Sequence, residues 1–70
     1  ARDGARARQL FRRGCALKDQ QSCHSYATLL ATGSGGTRDT RQALQLLERT
    51  CSTGYAPACA DAKRLRPQVR

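Results

Sequence analysis

The sequence predicts an all-α fold of two antiparallel helix pairs, on three observations. The four cysteines form two pairs related by one shift, because Cys15 and Cys23 recur 36 residues later as Cys51 and Cys59. The same shift superposes Arg2 on Arg38, Asp3 on Asp39, Ala7 on Ala43, Gln9 on Gln45, Leu10 on Leu46, Arg13 on Arg49 and Leu29 on Leu65. Apolar residues return at steps of three and four, β-branched residues are few, and no alternating run suggests a strand. A period of about 20 to 50 residues marks stacked supersecondary units, which act by presenting a surface. The division predicted is a first unit over residues 1–36 and a second over 37–70 that ends in a C-terminal cap.

The first helix is expected from Asp3, its cap, to Leu17, with Ala7, Leu10, Phe11, Gly14 and Leu17 on one face turned to the core. Lys18-Asp19-Gln20-Gln21 reads as the turn that follows. A second helix is expected over Ser22 to Thr32, with Cys23, Tyr26, Ala27 and Leu30 inward and Gly33 as its left-handed stop. Gly33-Ser34-Gly35-Gly36 is a tight connection, since a phosphate-binding loop would need a preceding strand and a Gly-Lys-Ser/Thr ending. The third helix is placed over Thr40 to Ser52, capped by Asp39 or Thr40, with Ala43, Leu46, Leu47, Thr50 and Cys51 inward and Gly54 after its end. Pro57 suits the first turn of a fourth helix with Ala58, Cys59, Ala62 and Leu65 inward, and Pro67 stops it. Leu44 and Val69 are left pointing outward, and Arg64, Arg66, Gln68 and Arg70 suit a polar terminal cap.

Seventy residues bury too little apolar surface for easy stability, so two cysteine pairs invite a covalent explanation. In each unit one cysteine ends a helix and the other lies in the first turn of the next, where a reversal brings them together. A bridge there closes a small loop worth about 2.5 kcal/mol by chain entropy. Of three connectivities, the repeat predicts Cys15 with Cys23 and Cys51 with Cys59. A zinc site using the cysteines and His24 is the alternative, although zinc ligands usually sit about two to four residues apart, and a redox site would prefer a Cys-x-x-Cys gap. Neither a metal nor any other cofactor is expected. A disulfide framework implies an oxidising compartment, secreted or periplasmic. No membrane span or signal peptide is visible; a chain that starts at Ala1 reads as a processed protein or an excised fragment, and its polar last segment reads as the C-terminal end of a larger, exported protein.

The run Ala43-Leu44-Gln45-Leu46-Leu47-Glu48-Arg49-Thr50-Cys51-Ser52-Thr53-Gly54-Tyr55-Ala56-Pro57-Ala58-Cys59 resembles the Sel-1-like repeat family, in particular its disulfide-rich secreted or periplasmic bacterial branch. Gly33-Ser34-Gly35-Gly36-Thr37-Arg38-Asp39 is similar to that family's link between repeats. Departures include Lys18 in place of a helix-ending glycine, and Gly14 and Thr50 in place of the alanine before cysteine. The resemblance implies a right-handed α-solenoid of two 36-residue repeats, one disulfide per repeat, and a role in binding proteins or peptides.

A formal charge of +8 and a pI near 10.4 suit an acidic partner, nucleic acid or an anionic membrane surface. The first helix of each pair carries Arg6, Arg8, Arg12, Arg13, Arg41 and Arg49, the expected partner-binding residues, and arginine forks suit the carboxylates of a protein or peptide. The same charge would support weak binding of nucleic acid or another polyanion, against which stands the scarcity of stacking aromatics, only Phe11, Tyr26 and Tyr55. An enzyme is not expected. Some relatives within the resembling family are described as β-lactamase-like hydrolases, but no Ser-x-x-Lys nucleophile motif occurs, and His24 has only Asp19 and Asp61 as carboxylates considered for pairing.

Overall fold

In the computed structural model, which describes residues 4–69, the chain is all-helical. The order is α1 (Gly4–Ala16), α2 (Gln20–Thr32), α3 (Thr40–Ser52) and α4 (Ala56–Leu65), followed by a 3-10 turn over Arg66–Gln68. Each helix packs on its neighbour in sequence. Asp3 and Arg70, expected in caps, lie outside the described residues.

Each boundary has a chemical cause. Asp19 has extended backbone and accepts from the Gln21 N–H at 3.2 Å, so α2 starts two residues before the Ser22 expected. Asp39 caps α3 by accepting from the Gln42 N–H at 3.0 Å. Gly33 ends α2 at φ 81, donating its N–H to Leu29 O at 2.8 Å. No side chain caps α4 at Tyr55, but Pro57 in its first turn removes one donor that would lack a partner.

The core is built from α2, α3 and α4: Ala27 and Leu30, Ala43 and Leu47, Ala58, Ala62 and Leu65. Four of these seven are alanine, which lets the helix backbones approach closely. Leu44 and Val69, expected to point outward, pack against this core. The larger correction concerns α1, which buries no residue. Leu10 is 60% and Leu17 77% exposed, so the face predicted to meet the core is covered on one flank only. An amphipathic helix needs neighbours on both flanks to bury a wide stripe, and α1 packs chiefly on α2.

What holds α1 is close approach, polar contact and a covalent bond. A Cβ on Gly14 would stand 2.4 Å from Ser22 Oγ, so glycine lets α1 and α2 touch there. Arg8 reaches across to the loop after α2 and donates from Nε to Ser34 O at 3.0 Å, from Nη1 to Thr37 O at 3.0 Å and from Nη2 to Leu29 O at 3.1 Å. A cation is favourable near the C-terminal end of a helix. Gly35, at φ 76, brings the same loop against Gly4, leaving no room for a side chain. The glycine-rich segment is therefore a tight connection that also grips the first helix.

Candidate binding groove

Two disulfides tie α1 to α2 and α3 to α4 across equivalent turns. Cys15 and Cys23 are joined at 2.02 Å with Cα atoms 4.4 Å apart, and Cys51 and Cys59 at 1.97 Å with Cα atoms 4.5 Å apart. All four sulfurs are thus covalently paired and none is a thiolate ligand. Successive helices reverse direction, so α1 and α3 run the same way, both packed on α2.

Between them lies a groove of about 300 Å³. One wall is Arg12, Cys15 and Ala16 of α1, the other Gln42, Gln45, Leu46 and Arg49 of α3, and Tyr26 of α2 forms part of the floor. A second hollow of about 400 Å³ shares Cys15, Ala16 and Arg49 and continues toward Lys18 and Thr53 at the two turns. The lining combines guanidinium and amide donors with an aromatic ring and a leucine.

The arginines expected to bind a partner fall into distinct places. Arg12 of α1 and Arg49 of α3 both line the groove. Arg6 and Arg13 are exposed elsewhere on α1, and Arg41 is exposed in the first turn of α3. Arg8 is different: its guanidinium is engaged by the loop carbonyls of its own chain. Gln42, Gln45, Leu46 and Tyr26 were not among the expected binding residues, and the superposition of Gln9 on Gln45 and Leu10 on Leu46 was the signal that could have found two of them.

Charge is distributed asymmetrically. Each carboxylate among the described residues has a structural partner: Asp19 and Asp39 cap helices, Glu48 accepts from Arg66 Nη2 at 3.2 Å, and Asp61 meets His24 and Arg64. By contrast, the guanidinium groups of Arg12 and Arg49 have no hydrogen-bond or ion-pair partner among the described residues. The groove therefore keeps an uncompensated positive field, which favours an acidic ligand.

His24 on α2 sits 2.5 Å from Asp61 on α4, and its ring lies 5.7 Å from that of Tyr55. With the Arg64 contact, this cluster ties the second helices of the two pairs together on a surface away from the groove lining. Among the described residues no helix is long and apolar enough to cross a membrane. Comparison with family models, curated proteins and solved structures finds no match to this chain.

Proposed function

We propose that the chain is a protein-binding or peptide-binding module, a two-repeat α-solenoid of the Sel-1-like kind, working in an oxidising compartment, secreted or periplasmic. Its ligand is an extended acidic segment of a protein partner, seated between α1 and α3. The observation that carries this reading is the pair Arg12 and Arg49, which line one groove from two helices while every described carboxylate is engaged elsewhere. Support for the repeat comes from the helix bounds: a shift of 36 takes α1 onto α3, and α2 onto α4 with its 3-10 turn. The two disulfides support the compartment.

Fluorescence anisotropy with a glutamate-rich and a lysine-rich peptide tests it. The acidic peptide should bind and the basic one should not. Arg49→Glu should weaken binding about a hundredfold, since it replaces an attractive contact by a repulsive one of similar size. Binding unaffected by charge reversal at both Arg12 and Arg49 would remove the groove as the site. A duplex oligonucleotide bound more tightly than the peptide, with a steep salt dependence, would move the reading to polyanion binding.

A further inference from the structure

We propose that the bridge between Cys15 and Cys23 is a thiol-exchange site, opened by a small anionic thiol seated in the hollow that the bridge lines. The site does not depend on the groove reading above.

Two observations carry it, and the first is the surroundings of the bridge. Cys15 and Cys23 both line the hollow of about 400 Å³, together with Lys18, Gln20 and Arg49, and no carboxylate belongs to that lining. The Lys18 ammonium and the Arg49 guanidinium have no hydrogen-bond or ion-pair partner among the described residues. Asp19, next to Lys18 in sequence, is held at the start of α2 by the Gln21 N–H and the Ser22 hydroxyl. A disulfide beside two such cations offers what exchange needs. The carboxylates of an anionic thiol find charged partners there, and positive charge stabilises the cysteine thiolate that leaves. Cys51 and Cys59 line neither this hollow nor the groove.

The second observation is what each bridge fastens. Cys51 and Cys59 join α3 to α4, which share one core, so packing holds those two cysteines close even after reduction. Cys15 and Cys23 join α2 to α1, a helix that buries no residue. Once this bridge opens, α1 can move off and the two thiols separate, which disfavours reclosure. Because α1 supplies one wall of the groove, the same step unfastens that wall.

The chemistry balances as two successive displacements. A thiolate attacks one sulfur of the bridge, forming a mixed disulfide and expelling the other cysteine as a thiolate. A second thiolate attacks the mixed disulfide and expels the remaining cysteine. Two thiols are oxidised to one disulfide, and the bridge is reduced to two cysteines that take up the two protons.

The test incubates the oxidised 70-residue chain with glutathione, whose net charge is negative, or with cysteamine, whose amine is positive, at equal thiolate concentration. Samples quenched by alkylation are mapped by mass spectrometry. Cys15 and Cys23 should be modified before Cys51 and Cys59. Glutathione should open their bridge about tenfold faster than cysteamine, the gain of one charge-assisted contact in the transition state. Replacing both cations, Lys18→Gln with Arg49→Gln, should bring the two rates together, with circular dichroism showing the oxidised variant folded. The comparison of the two thiols on the unsubstituted chain needs no variant. If Cys51 and Cys59 open first, or at the same rate, the proposed site is overturned. If Cys15 and Cys23 open first but at a rate indifferent to the charge of the thiol, the hollow does not seat it and the proposal falls as well.

Discussion

The turn from α1 to α2 and the turn from α3 to α4 have the same backbone and different chemistry. Both carry a disulfide of the same sequence separation. The Lys18 N–H donates to Cys15 O at 2.9 Å, as the Gly54 N–H does to Cys51 O at 2.9 Å. Yet the left-handed residue is a lysine at φ 69 in one turn and a glycine at φ 99 in the other. The following helix is capped by Asp19 in the first unit, whereas Tyr55 offers no side-chain cap in the second. Packing is exchanged as well. Gly14 faces Ser22 at close range in the first unit, while the second has Thr50 and Ala58 at the corresponding positions, with the larger residue on the first helix. The backbone pattern therefore tolerates opposite local solutions, provided that the bridge and the turn geometry stay the same.

The units differ most in what holds their first helix. α3 lies between α2 and α4 and buries Ala43, Leu47 and Thr50, whereas α1 buries nothing and is held by Cys15, Gly14 and the Arg8 contacts. The largest expected effect follows from this. Leu47→Ala should cost about 2–5 kcal/mol, while Leu10→Ala, at the exposed position, should stay within about 0.5 kcal/mol. Equal losses in thermal or denaturant unfolding would mean that α1 is buried in solution and would erase the contrast.

Removing the bridges sharpens it. Chain entropy makes the two disulfides equivalent, about 2.5 kcal/mol each. Their consequences should nonetheless differ in place. With Cys15 and Cys23 both changed to alanine, α1 should open locally, seen as fast amide exchange over Gly4–Ala16 with the remaining helices still protected. With Cys51 and Cys59 changed to alanine, protection should fall across α2, α3 and α4 together, because these share one core. Uniform exchange in both variants would show a single cooperative unit with no weaker edge.

The smallest expected effect concerns the turns. Lys18→Gly relieves a left-handed lysine and should stabilise the chain by about 1 kcal/mol, and Gly54→Lys should destabilise it by a similar amount. A Lys18→Gly variant with an unchanged melting temperature would mean that the first turn relaxes its conformation in solution.

These contrasts show why some features were legible and others were not. Helix positions, the Asp19 and Asp39 region, the Gly33 stop and the Pro57 start all rest on interactions within four or five residues. The disulfide register followed from the same short range, since one reversal brings residues eight apart together. Even the turn at Lys18 was marked by its departure from glycine at an equivalent place. By contrast, the Arg8 contacts join residues 21 to 29 apart and no local pattern encodes them, while Asp61, 37 residues from His24, was named beside Asp19 as its candidate partner and only the tertiary contact chose between the two.

By itself, then, the chain determined its all-helical character, the limits of its helices within about two residues, and which residues share each face, because backbone hydrogen bonding, capping and periodicity are local. Only the tertiary structure decided which faces are covered. Leu10 and Leu46 are the same residue at the same place in a helix, and one is 60% exposed while the other packs against the core. The reason is physical: burial depends on the number of neighbours a helix acquires, and α3 has two where α1 has one. The groove has the same origin, since its lining comes from α1 and α3, two helices that each pack on α2.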